Sequence, residues 1–510
     1  MTVLQFAVQT TVGAARHGLL SLPQRGVEIA TPAVVLYTRR GLPVHLTADL
    51  LRTLGPDARS LQVNPVHFLE SPGPDIVQVA GSIHDLLSFH DYALFALTSD
   101  PLEFEAGGTT TKTSASFETP AGRRSVTISQ YMEVINAMKP DVAASLTDEI
   151  LATSSAKRTI KSVDRSLRWL DSCLDLRATG SLDLPIFGSI QGGGMIAERE
   201  RSACETAKRE VAGFHLGGFG RGETYEERSL LLQAAINHLP PEKPRHISGL
   251  GVPEDVLQGI SAGVDLFDGS YAHRLTMGGF AMVFPPDEEE DDVAFRNGVH
   301  VALGSAVAAQ NGQAKGNGVI GGMANGGGGG GRNESAQRYA AEVGEADADG
   351  ATLVELKSHR GRERGRDGKK DKVGKGELPE EHGGVVSGAI NLRSTAYRLD
   401  GRPILAGCEC FSCRNHSRAY IHHLLNTSEM LAQVLLDIHN IHHYLRFFRA
   451  TRRAISEMRF SEYCNWFLKR RLDCSNGRPA SQKRFVMEEC HSRQKYSEKA
   501  SLLPLSVGTF

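Results

Sequence analysis

The chain has little charge of one sign. Lys+Arg number 57 and Asp+Glu 59, a formal charge of -2 over 510 residues. Whole-molecule attraction to nucleic acid is therefore excluded, and any such binding must come from a local patch. Cysteine is sparse, 8 in all, which excludes a disulfide-stapled secreted scaffold. No stretch approaches the roughly 18 uninterrupted apolar residues of a membrane-spanning helix, so no integral membrane segment is expected. No charged region leads into an apolar block at the start, so no signal peptide is expected. At 40% hydrophobic residues the composition also excludes a wholly disordered chain.

What is present follows one grammar from 30 to 280. Short β-rich apolar runs at 33–38, 76–80, 92–98, 141–146, 185–191, 210–216, 245–250 and 263–268 alternate with helical patterns at 129–138, 157–178, 195–209, 224–238 and 253–262. Strands alternating with helices of this length predict βαβ units on a parallel sheet. Eight strands in about 250 residues fit a (β/α)8 TIM barrel better than an open sheet. Segment 109–129 reads as an antiparallel hairpin decorating it.

The grammar breaks at 287. Residues 287–292 are DEEEDD, 326–331 are six glycines, and 357–376 are basic and glycine-rich. Such a segment buries too little apolar surface to offset its ordering entropy, so 287–384 is expected to be a disordered insert. The expected division is a barrel at 1–286, that insert, a zinc-binding subdomain with a closing helix at 385–458, and a poorly ordered extension at 459–510. The closing helix is expected to begin near Asn426, with Glu429 completing a capping box.

Three of the eight cysteines fall within six residues, at Cys408, Cys410 and Cys413. Thiolates so spaced can occupy three corners of a zinc tetrahedron from one turn. His416, His422, His423, His439, His442 and His443 all qualify by type as the fourth. His439, beside the core-facing Ile438, is preferred. Four protein ligands leave no position for water, so this Zn2+ would be structural, one per chain.

Polar residues and glycines collect where the predicted strands end: Asp100, Gln191, Gly192, Gly217, Gly218 and Asp268. In a barrel those ends converge on the face that carries active sites. Gln191 and the glycines suit a planar heterocycle. Asp268 is a candidate carboxylate nucleophile and Asp100 a candidate for proton transfer.

These residues carry a resemblance. The Cys408–Cys413 cluster, Arg418-Ala419-Tyr420-Ile421-His422-His423-Leu424-Leu425 and His439-Asn440 resemble the zinc subdomain of the tRNA-guanine transglycosylases. Gly188-Ser189-Ile190-Gln191-Gly192-Gly193, Gly217-Gly218 with Gly222-Glu223, and Val264-Asp265-Leu266-Phe267-Asp268 resemble that family's barrel motifs. The resemblance implies a TIM barrel with an inserted zinc subdomain, acting on tRNA. Members exchange guanine at the wobble position for a deazaguanine, in eukaryotes queuine.

Around the site the chain departs from the catalytic pattern. Thr98-Ser99-Asp100-Pro101-Leu102 lacks the paired glycines, Thr147-Asp148-Glu149-Ile150 lacks a cysteine, and Gly269-Ser270-Tyr271-Ala272-His273-Arg274 replaces the stretch after the nucleophile. Leu36-Tyr37-Thr38, His45-Leu46-Thr47, Ile160–Leu167, Glu205–Arg209 and 411–423 resemble the non-catalytic branch instead. That branch implies no catalytic residue in this chain, a catalytic queuine tRNA-ribosyltransferase subunit as heterodimer partner, and the tRNA anticodon arm as shared ligand. It also implies a cytoplasmic location, with association at the mitochondrial outer membrane. The alternative is an active transglycosylase using Asp268 as nucleophile and Asp100 as its acid-base partner.

Overall fold

The computed structural model describes residues 4–102, 110–119, 122–179, 183–288 and 388–475. Eight parallel strands form the centre, in the order Ala33–Val35, Leu266–Asp268, Arg245–Ile247, Gly213–Leu216, Ile186–Ile190, Val142–Ala144, Ala93–Ala96 and Ser60–Val63. The first and last meet through the Leu36–Leu61 bridge, with Leu36 N donating to Ser60 O at 2.8 Å and Gln62 N to Leu36 O at 2.9 Å. The result is a nearly closed (β/α)8 barrel, as the alternating pattern predicts.

Helices follow the strands along the chain, with Ala156–Thr179 and Ile196–Ala207 both packed on strand Ile186–Ile190, and the local chemistry explains their boundaries. Helix Ile128–Met138 starts at Thr127 in a capping box with Gln130, and Tyr225–Ile236 starts at Thr224 with Glu227 in the same role. Pro253–Ala262 opens on proline with Glu254 and Asp255 in its first turn, and ends at Gly263 with φ 100°.

Side chains alternate between the inside and the outside of the barrel. Val35, Phe95, Val142, Ala144, Phe187 and Leu266 pack inward against Leu20, Leu22 and Val27 of a three-stranded antiparallel sheet, Gln5–Val12, Ala15–Leu22 and Val27–Thr31. That sheet was not expected from the sequence. Toward the strands' carboxyl ends the interior turns polar, where Gln191 follows Phe187 and Ser189, and His215 pairs with His246 at 2.9 Å.

Several expectations are corrected. Residues 76–80 lie in a helix, Pro74–Ala80, because Gly73 at φ 92° and Pro74 start a helical turn there. The strand that occupies this barrel position is the shorter Ser60–Val63. Asn426 does not cap the long helix. It closes the preceding helix, Arg418–Asn426, by donating Nδ2 to His422 O at 2.8 Å, and the chain turns at Ser428 before helix Leu431–Ser456 begins.

The irregular tail expected from 459 is a helix over Phe460–Ser475. Tyr463, Phe467 and Arg471 recur every four residues on its buried face, and Arg471 pairs with Glu254 at 2.7 Å. Strand Ala389–Asn391 pairs antiparallel with Phe280–Met282 and so joins the chain on either side of the insert. The insert itself, apart from residues 287 and 288, lies outside the described residues, as does the chain beyond 475.

Candidate metal centre and barrel-mouth site

Cys408 and Cys410 lie on the turn before the short helix Phe411–Asn415, which carries Cys413. His439 comes from helix Leu431–Ser456, packed across that turn. His439 Nδ1 is 3.8, 3.5 and 3.3 Å from the sulfurs of Cys408, Cys410 and Cys413. Around a tetrahedral zinc, with bonds of about 2.3 Å to sulfur and 2.0 Å to nitrogen, these separations should be about 3.5 Å. The four buried residues can therefore hold one metal ion. The other nitrogen, His439 Nε2, lies 2.7 Å from the Met282 carbonyl. Donation there leaves Nδ1 as the lone pair facing the sulfurs, and it anchors the ligand to the barrel wall.

Packed this closely, the thiols and the imidazole perturb one another strongly. Hydrogen bonds from Cys410 and Cys413 hold Cys408 far below an ordinary thiol, with His442 adding a further bond, and the same crowding pushes Cys413 up. Burial alone would lower His439, but the Cys408 and Cys410 sulfurs overrule it and push it up to about 9. His443 instead sets Nε2 at 2.8 Å from Phe284 O.

At the barrel mouth the predicted residues are partly brought together. Gln191 is fully buried, and neither its Oε1 nor its Nε2 has a hydrogen-bond partner. Leaving such an amide unpaired is costly. Gly217 lies directly against it, where an added Cβ would sit 2.3 Å from Nε2. Here glycine makes room for the protein's own glutamine.

Three residues outside the initial site reading, Glu149, Arg221 and Arg199, organise this mouth. Glu149 accepts from Gly218 N at 2.7 Å and from Ser99 Oγ at 3.0 Å, and it pairs with Arg221 at 3.2 Å. Burial pushes Glu149 up, but the Arg221 guanidinium and the Gly218 N–H outweigh it and hold it below the ordinary carboxylate range. Arg199, wholly buried, donates to the carbonyls of Gly193, Gly217 and Gly218 at 3.1, 2.7 and 3.1 Å and stacks on Phe219. Glu149 was visible in the Thr147–Ile150 stretch, whereas nothing in the local sequence marks Arg221 or Arg199.

The two candidate carboxylates differ. Asp268 is fully buried. Its Oδ2 accepts from Gly249 N at 2.7 Å, and its Oδ1 from Ser270 N at 3.0 Å and from the Ser270 hydroxyl. Burial raises its pKa against those bonds. Asp100 is half-buried, accepting from Tyr37 Oη at 3.0 Å and from Leu102 N at 2.8 Å.

Comparison with known proteins bears on this geometry. The family model described as queuine tRNA-ribosyltransferase matches residues 11–473. A Xenopus tropicalis protein named queuine tRNA-ribosyltransferase accessory subunit 2 is 33% identical over 473 residues, covering 89% of this chain and 96% of its own. The Gallus gallus and Homo sapiens proteins of that name are 33% and 32% identical, covering 88% and 84% of this chain and 91% and 90% of theirs.

Proposed function

The chain belongs to the queuine tRNA-ribosyltransferase family, and from that premise we propose that it is the non-catalytic subunit of a two-chain enzyme exchanging guanine for queuine at the tRNA wobble position. The state of Asp268 carries the reading. A nucleophile attacking a ribose carbon needs an ionised oxygen that can reach it. Asp268 has no exposure, both its oxygens accept backbone N–H groups, and burial favours its neutral form. The Glu149–Arg221 pair beside Gly218 supports the same reading, because it fills the mouth with an internal contact.

The names of the relatives supply the partner, a catalytic queuine tRNA-ribosyltransferase subunit. On this reading zinc is the ion at Cys408, Cys410, Cys413 and His439. Three soft thiolates and one imidazole suit it, and a closed tetrahedron makes it structural. It would tie the turn that carries the cysteines to the long helix, with Met282 O orienting His439. The anticodon arm would lie across both subunits, its phosphates met by exposed cations such as Arg398, Arg402 and Arg414 on the metal-bearing face. The complex would work in the cytoplasm and at the mitochondrial outer surface. Among the described residues no helix is long and apolar enough to cross a membrane.

The test is incorporation of labelled queuine into tRNA by the purified chain alone, by the catalytic subunit alone and by both together. Incorporation only in the presence of the partner is expected. Incorporation by the chain alone, abolished by Asp268→Asn, would overturn the reading and make Asp268 the nucleophile of an active transglycosylase.

A further inference from the structure

Outside the sulfur-rich cluster the described residues hold a second convergence of metal-type ligands. His45 lies in the loop after barrel strand Ala33–Val35, His273 on helix Ser270–Gly278, and Asp437 on helix Leu431–Ser456. One ligand atom from each lies within 4.8 Å of the others. His45 Nδ1 is 2.9 Å from Asp437 Oδ2, and the two imidazole rings stack 5.6 Å apart with 21° between their planes.

Asp437 makes this more than a surface cluster. It is 2% exposed, and its second oxygen, Oδ1, has no hydrogen-bond partner. A buried carboxylate oxygen without a partner carries a desolvation cost that nothing on the protein offsets. A cavity of about 10 Å³ opens beside it, lined by Tyr37, Gly269, His273, Asp437 and neighbouring apolar residues. That volume is about one water-sized sphere. It admits an ion or a water but no organic ligand.

The bland alternative is a single histidine–aspartate hydrogen bond with a ring stacked on it. That leaves Asp437 Oδ1 unexplained, as well as the arrival of a second imidazole at the same point. We propose that His45, His273 and Asp437 bind a divalent first-row transition-metal ion, separate from the one at the cysteine cluster. Two imidazoles and one carboxylate are the donor set of open metal sites. Adjacent donors on an octahedral ion, with bonds of about 2.1 Å, lie about 3.0 Å apart, close to the 2.9 Å between His45 Nδ1 and Asp437 Oδ2, and a carboxylate that binds through both oxygens would engage Oδ1 as well.

The two ions do not share a face of the helix. Asp437 and His439 are two positions apart and point in nearly opposite directions. The second ion would cross-link the barrel to the long helix. It would stand behind Tyr37, whose ring is 5.3 Å from that of His273 and whose hydroxyl donates to Asp100. Three protein ligands leave coordination positions for water, so this ion exchanges more readily than one enclosed by four.

The experiment titrates Co2+ into the purified full chain after zinc loading and removal of loosely held metal, with metal content and absorption read together. The wild type should reach two ions per chain. The second should bind without the sulfur-to-cobalt charge-transfer band that a thiolate site gives. His45→Ala and His273→Ala should each lower Co2+ affinity at this step by at least about 100-fold, more than loss of an outer-shell partner typically costs, and leave the first ion in place. His45 is on a half-buried loop, so its variant carries the test if His273→Ala folds poorly.

One zinc in the wild type with no cobalt taken up beside it overturns the proposal and leaves the zinc reading intact. A second ion that survives both substitutions overturns it as well. A wild type holding one cobalt ion and no zinc, without a thiolate band, instead supports this site and refutes the cysteine one.

Discussion

Replacing Asn440 by alanine should unfasten the long helix from the barrel. Asn440 is fully buried beside His439. Its Oδ1 accepts from Met282 N at 2.9 Å, and its Nδ2 donates to Phe280 O at 2.9 Å and to Thr276 Oγ1 at 3.0 Å. The substitution orphans a buried donor at Met282, at about 2 kcal/mol, and a part-buried carbonyl at Phe280, at about 1 kcal/mol. Thr276 keeps its own bond to Ala272 O at 3.1 Å, so its loss is small. The void left by the amide adds up to about 1 kcal/mol, for a total of about 3–4 kcal/mol.

Urea unfolding measures this. It can be followed by the fluorescence of Trp169, which reports the barrel, and Trp466, which reports the C-terminal helix packed near Phe284. The midpoint should fall at an unchanged slope, and the bound metal should remain, because the contact from His439 to Met282 O is untouched. A loss under about 1 kcal/mol would mean that the Met282 N–H finds water and that the amide does not pin the helix.

At the cysteine cluster, His439→Ala should abolish metal retention measured by mass spectrometry, whereas His442→Ala should keep it; the reverse pattern refutes the ligand choice. Cys410→Ser should leave the C-terminal third prone to aggregation, because metal binding and folding are coupled there; a metal-free yet fully compact variant refutes that coupling. Glu149 is held below its ordinary range in the folded state, so its contribution is present above the unfolded carboxylate pKa and lost as pH falls through the folded one. Glu149→Gln should therefore flatten the acid limb of the stability profile, and an unchanged limb would refute the linkage.

The barrel was legible because its code is local. Helix Pro253–Ala262 matches the expected 253–262, and helix Ala156–Thr179 falls within a residue of its periodic pattern. Strand Ser60–Val63 escaped notice because four residues hold too little periodicity to stand out from the loops beside them. Helix Phe460–Ser475 was obscured because Tyr463, Phe467 and Arg471 mix apolar and charged types on its buried face. Only the distant Glu254 makes an arginine acceptable there. The barrel-mouth arginines, Arg199 and Arg221, were invisible for a similar reason. Their partners are carbonyls and a carboxylate brought in from other strand ends.

Three thiols within six residues marked a candidate metal site by themselves, because chain geometry leaves sulfurs at that spacing within one turn of each other. The sequence alone likewise fixed the family and the alternation of strand and helix. Six histidines qualify by type and His439 is preferred; its place facing those sulfurs comes from the helix that carries it, laid across the turn with the far nitrogen on Met282 O. The closed surroundings of Asp268 and the meeting of His45, His273 and Asp437 also belong to the tertiary structure alone. His45 and Asp437, 392 positions apart, become neighbours there, and no pattern of local spacing records such a distance.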